Sequence, residues 1–303
     1  RCSYSKEELI VKYEGIMTAL VTPVIGDNVV DESAMKKLIN YQLESGISGL
    51  VFLGGTGEYT ALSKKERKRA IDIAVKNAGN KVPVIIGILE PGIADCIEIA
   101  LYSKKVGADA IMVLTPYYVH PAQEGIIEFY KELNDAVDMP IILYNIPYRT
   151  SVNMLPETVE KLIDLIPNIV GIKESTPNLS QATDLIRLVG DRISVLCGEE
   201  FYAVAEFILG AHGAVMATAN IIPDKWIHIF EMIKGGYVKE AVQTYLEFFP
   251  LFQSIFSEVN PGPLKKAMEM IGLPVGNSIT PLQSPSDNTV TQLKDIMEKL
   301  DIH

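Results

Sequence analysis

The chain has 303 residues, 48% hydrophobic and 21% charged, with a net charge of -11. That composition excludes a disordered chain and describes an ordinary soluble protein with a sizeable core. The acidic balance argues against nucleic acid or an anionic membrane surface as partner, because either needs a basic footprint.

The chain begins Arg1-Cys2-Ser3-Tyr4-Ser5-Lys6-Glu7-Glu8, without a signal-peptide apolar stretch or an initiator methionine. A trimmed start is expected. No run approaches ~18 uninterrupted apolar residues, so no transmembrane helix is predicted. Strand-like, β-rich runs then appear near 15–22, 48–53, 82–87, 109–114, 140–145, 168–173, 193–197 and 212–217. Pro83 and Pro140 stand at strand beginnings, where a missing N–H does least harm. Helical segments fill the gaps. Met35, Leu38, Ile39 and Leu43 recur at spacings of three and four, and Ser63 with Glu66 reads as a capping box.

Alternating β/α units of this number predict a (β/α)8 TIM barrel over 1–235. A doubly wound sheet would carry a glycine-rich GxGxxG after its first strand, which here ends Val21-Thr22-Pro23. From 236 to 303, pieces near 236–256, 261–271 and 287–300 predict a C-terminal helical extension packed on the barrel.

Cys2, Cys96 and Cys197 are odd in number and lack metal or redox spacing, which suits a reducing cytoplasm. His120, His212, His228 and His303 form no HxH or HExxH pair, so neither a metal site nor a metal-dependent aldolase is expected.

In such barrels the reactive side chains gather at the C-terminal strand ends. Lys173 ends the apolar run Asn168-Ile169-Val170-Gly171-Ile172 and is the most telling residue. An ammonium held partly desolvated there loses its proton more readily, and a neutral lysine amine is the nucleophile of Schiff-base chemistry. The plainer reading is a lysine that snorkels into solvent. Gly54-Gly55-Thr56-Gly57-Glu58 offers backbone N–H groups and the Thr56 hydroxyl to an anion, or is simply a tight turn. Tyr144 is a proton-transfer group or a phenol anchored at the core boundary. Arg149 presents a fork suited to a carboxylate, or is a surface ion pair. Gly198-Glu199-Glu200 is too acidic for a phosphate site.

Taken together, GIMTALVTP, GGTGE, TPYY, YNIPYRT, GIKES and Asn260-Pro261-Gly262-Pro263-Leu264-Lys265 resemble the dihydrodipicolinate synthase/N-acetylneuraminate lyase family. The resemblance runs from about Gly15 to the C-terminal helices. It implies a class I, pyruvate-utilising aldolase that needs no cofactor and assembles as a homotetramer, a dimer of dimers. By the same resemblance Lys173 matches the Schiff-base lysine and Tyr144 the proton-relay tyrosine. Thr56 matches the hydroxyl that links the relay and binds the pyruvate carboxylate. Tyr118 matches a tyrosine reaching into the neighbouring subunit's site, and Arg149 the arginine that holds the second substrate's carboxylate. Gly55, Gly198 and Val215 match positions lining the pocket.

Arg149-Thr150 resembles the synthases, which condense pyruvate with aspartate semialdehyde. An N-acetylneuraminate lyase or a 2-keto-3-deoxy sugar acid aldolase or dehydratase is the alternative within the family. Outside it stands a non-catalytic barrel that binds a keto acid. The chain departs from the family at Gly55, where a threonine or serine is usual, at Gly87-Ile88-Leu89-Glu90, and at Gly262. Tyr59, Pro91 and Asp95 do not reproduce the family's feedback lysine pocket.

Overall fold

A computed structural model describes residues 13–26 and 28–303; Cys2 and the expected trimmed start lie outside them. Apolar runs become parallel strands when both of their faces can be buried, and a ring of helices supplies the outer cover. Eight strands do so here: β1 Gly15–Ala19, β2 Gly49–Phe52, β3 Val84–Ile88, β4 Ala110–Leu114, β5 Ile141–Asn145, β6 Ile169–Glu174, β7 Ser194–Cys197 and β8 Gly213–Met216. Each pairs in parallel with its sequence neighbours, and β1 closes the barrel against β8. The chain is the TIM barrel that its alternation predicts.

The barrel helices are α1 Glu32–Glu44, α2 Lys64–Ala78, α3 Ile93–Val106, α4 Gln123–Val137, α5 Pro156–Leu165, α6 Leu179–Val189, α7 Ala203–Leu209 and α8 Pro223–Lys234. In α1 the inward face is Met35, Leu38, Ile39 and Gln42; Leu43, expected there, is only half-buried. Gln42 is admitted because its amide is satisfied, accepting from Thr18 at 2.6 Å and donating to the Ala219 carbonyl at 2.9 Å. The expected capping box of α2 is half formed. Ser63 accepts from the Glu66 N–H, but the Glu66 carboxylate turns away to Val30 N at 2.8 Å. There it fastens an unpredicted hairpin, Val24–Ile25 with Val29–Val30, whose strands are too short to carry a period.

Beyond the barrel run α9 Val238–Ile255, α10 Gly262–Met270 and α11 Asp287–Lys299, close to their predicted places. They share one continuous core with the barrel. Trp226 of α8 stacks on Phe252 of α9 with ring centres 5.0 Å apart, and its indole N–H reaches Thr218 Oγ1 at 2.7 Å. Among the described residues no helix is long and apolar enough to cross a membrane.

Candidate active site

Register places the chemistry. Tyr144 and Lys173 are paired residues of β5 and β6, so neighbouring strands deliver an amine and a phenol side by side. Both are buried, and Lys173 Nζ stands 4.6 Å from the Tyr144 ring centre. A Cβ on Gly198 would lie 2.8 Å from Lys173 Cε and 2.0 Å from Ser175 Oγ. Only glycine lets the lysine arm pass there. Val215 of β8 forms part of the wall, and the cavity of about 60 Å³ over Lys173 is also lined by Gly55, Thr56, Tyr144, Arg149 and Gly198.

The loop after β2 approaches that cavity in a conformation that costs energy. Leu53 and Glu58, neither a glycine, bracket it with φ of +59° and +55°. Such residues persist only where the surroundings over-determine them. Here the surroundings are explicit. Thr22 Oγ1 donates to the Gly57 carbonyl at 2.7 Å, and a Cβ on Gly87 would strike the Leu53 carbonyl. Glu58 is buried in an ion pair with Lys265 of α10 and accepts from Ile279 N at 2.6 Å. Burial pushes the Lys265 amine below its usual range, and the Glu58 carboxylate opposes that. The C-terminal helices and the segment between them therefore clamp the loop after β2 from outside the barrel.

Thr56, expected to link the tyrosine relay, lines the same cavity as Tyr144, and its hydroxyl accepts from Asn260 Nδ2 at 2.9 Å. Among the described residues no hydrogen bond joins Thr56 to the Tyr144 phenol. Beside Gly55 a Cβ would meet nothing within 4 Å, so the space for a hydroxyl-bearing side chain is open. Asn260 belongs to a motif that carries the resemblance, yet its sequence gave no hint of a role. Its Oδ1 is buried and has no hydrogen-bond partner among the described residues.

The walls are acidic. Burial first, and Glu200 second, raise the Glu199 carboxyl to about 7 against the Tyr148 hydrogen bond and the Lys173 and Arg149 charges. Burial also raises Glu200, opposed by its bonds to Thr218, and Glu174, opposed by Thr176, Asn145 and Gln181. Glu174 follows Lys173 but points away from the cavity into that amide network, with both its oxygens 3.1 Å from Asn145 Nδ2. Arg149, on the one-turn helix Pro147–Thr150, is exposed at the mouth with its neighbour Tyr148. Thr150 is buried instead, bonded to the carbonyls of Ile146 and Val152.

One expected site residue is not gathered with the rest. Tyr118 is 87% exposed, sits at φ +72°, and lines neither this cavity nor the larger apolar annex of about 230 Å³ beside it. Tyr117 lines the annex and donates to the Leu89 carbonyl at 3.2 Å. Tyr148 and Glu199 were not singled out from the sequence as site residues, since a loop tyrosine and a loop glutamate carry no period. Tyr59 is buried, its hydroxyl 2.9 Å from Glu90 and the Arg67 guanidinium 4.0 Å above its ring. Asp95 pairs with Lys64 on the surface.

The dihydrodipicolinate synthetase family model matches residues 12–300. A 4-hydroxy-tetrahydrodipicolinate synthase of Thermodesulfovibrio yellowstonii is 39% identical over 285 residues, covering 94% of this chain and 97% of that protein. One from Citrifermentans bemidjiense is 37% identical over 95% of this chain and 98% of its own length. The crystal structure of dihydrodipicolinate synthase from Aquifex aeolicus superposes with a TM-score of 0.92 at 32% identity, covering 96% of this chain and 99% of that one. The chain belongs to the dihydrodipicolinate synthetase family.

Proposed function

We propose that this protein condenses pyruvate with aspartate semialdehyde through a Schiff base on Lys173, as a 4-hydroxy-tetrahydrodipicolinate synthase. The observation that carries the mechanism is the pairing of Lys173 with Tyr144 at the floor of a small cavity. Lys173 Nζ attacks the keto carbon of pyruvate, and the resulting carbinolamine loses water as Tyr144 supplies a proton. Removal of a methyl proton then gives an enamine, which adds to the aldehyde. The Gly55-Thr56 backbone holds the pyruvate carboxylate, with Asn260 fixing the Thr56 hydroxyl. Gly198 and Val215 shape the pocket. Residues 1–235 are the catalytic unit, and 236–303 an extension that braces the substrate loop.

Arg149 is assigned to the second substrate's carboxylate. A bidentate, charge-assisted pair is worth roughly 10–150-fold in affinity. Arg149→Ala is expected to raise the KM for aspartate semialdehyde by about that factor while pyruvate trapping on Lys173 persists. Steady-state kinetics with each substrate varied in turn check this. Efficient cleavage of a keto-deoxy sugar acid, with no condensation of aspartate semialdehyde, would overturn the substrate assignment and leave only the class I chemistry.

Tyr118 is assigned to the neighbouring subunit's site within a tetramer. Its exposure, with Val119 beside it 73% exposed, supports a role in trans. Mixing Tyr118→Phe chains with Lys173→Ala chains tests the assignment. Acting in trans, Tyr118 leaves one site in each mixed pair free of both defects, so activity returns on subunit exchange. Acting in cis, every site keeps a defect and mixing restores nothing.

A further inference from the structure

Tyr148 and Glu199 meet across the cavity mouth from two different loops. Tyr148 lies on the one-turn helix after β5 and Glu199 on the loop after β7, and the Tyr148 hydroxyl donates to Glu199 Oε1 at 2.9 Å. The backbone around Glu199 is fixed, its carbonyl accepting from Cys197 Sγ at 3.3 Å and Tyr202 N at 3.1 Å. Glu200, the other carboxylate lining the cavity, is anchored through Oε1, which accepts from Ala217 N, Thr218 N and Thr218 Oγ1. Glu199 Oε2 has no hydrogen-bond partner among the described residues, so this carboxylate keeps an acceptor free.

The aldehyde assigned above carries a carboxylate, which Arg149 answers, and an ammonium, which nothing yet answers. Resting on that substrate reading, we propose that Glu199, oriented by Tyr148, selects the amine-bearing aldehyde by holding its ammonium and takes one of its protons when the ring closes. In that step the freed amine's electron pair forms a bond to the former keto carbon of pyruvate. The bond from that carbon to Lys173 Nζ then breaks, its electron pair returning to the lysine as a neutral amine. Two protons are set free as the protonated imine and ammonium become a cyclic imine. Glu199 holds one and water takes the other.

The surroundings suit a carboxylate that exchanges a proton near neutrality. Tyr148, Arg149 and Lys173 favour its charged form, while Glu200 and burial oppose it and bring its titration to about 7. Glu206 is itself raised to about 8 by burial, opposed by its Cys197 hydrogen bond, with Glu174 and then Glu199 adding to the rise.

Succinate semialdehyde is aspartate semialdehyde without the amine, and it is the discriminating probe. With the full-length enzyme, kcat/KM is measured for both aldehydes at saturating pyruvate in the wild type, Glu199→Gln and Tyr148→Phe. The wild type should prefer the amine-bearing aldehyde, and Glu199→Gln should cut that preference by about 10–150-fold, the weight of a hydrogen bond to a charged group. Tyr148→Phe should cut it less, in the same direction. The wild-type preference should also decay as pH falls through about 7, where the carboxyl becomes neutral, and Glu199→Gln should lack that decay. Pyruvate trapping on Lys173 in both variants verifies that the barrel and the imine step survive. Equal losses with both aldehydes, or an unchanged preference, overturn the proposal. A wild type that traps pyruvate yet condenses neither aldehyde overturns the substrate reading, and this proposal with it.

Discussion

Treated with pyruvate and borohydride, the wild-type chain should gain a single reduced pyruvyl group at Lys173, and Lys173→Ala should gain none. Removing a covalent nucleophile costs on the order of 10⁶ in turnover where it has been measured, and a loss of that order is expected here. The structure gives reasons why no other lysine should substitute. Lys265, the other deeply buried lysine among the described residues, is committed to Glu58 and to the Asn277 carbonyl at 3.0 Å, and it lies in the extension rather than in the cavity. Loss of the lysine arm opens space toward the cavity rather than inside the sealed core, so the fold should persist. It also removes a positive charge that holds Glu199 and Glu200 down, so both carboxyls should titrate higher in the variant. Mass spectrometry of the digested adduct decides the matter. Equal labelling of Lys173→Ala would return Lys173 to a lysine that merely ends a strand.

Much of this was legible in the sequence because parallel strands write themselves as continuous apolar runs. The runs at 109–114 and 140–145 contain Ala110–Leu114 and Ile141–Asn145. Once the strands are placed, the rule that chemistry gathers at their C-terminal ends selects Lys173 and Tyr144 without any contact being known. What was not legible is whatever depends on non-local geometry. Asn260 reaches Thr56 across 204 positions of sequence, and Glu58 meets Ile279 across 221. No local pattern encodes such pairs. Gln42 was hidden for a different reason: a polar residue at a core position reads as surface until its partner Thr18 is known. Glu66 shows the converse, since a sound local motif was outbid by a tertiary partner, the Val30 N–H. Tyr118 was named only through resemblance, and a single chain leaves it exposed and apart.

Tyr144→Phe should lower turnover by about 10²–10⁴-fold, the usual contribution of a positioned acid–base group. The substitution keeps the ring that packs beside the lysine and deletes only the hydroxyl. Tyr144 is buried at 5% exposure, and among the described residues its phenol makes no hydrogen bond to the protein. A buried phenol serving as a structural anchor would be bonded to a carbonyl, as Tyr130 is to Val113 at 2.8 Å. Tyr144 is instead left facing the cavity beside the amine, and its removal should cost the fold little. The expected pattern is a fall in kcat with thermal stability nearly unchanged, and slowed imine formation visible in the trapping rate. Because Thr56 is held by Asn260, Thr56→Val should disturb pyruvate's KM more than the trapping rate at saturation. Gly55→Ser should be accommodated, since the space at Gly55 is open. Near-native turnover in Tyr144→Phe would show that proton transfer is managed by another group, and would leave the tyrosine as packing beside the lysine.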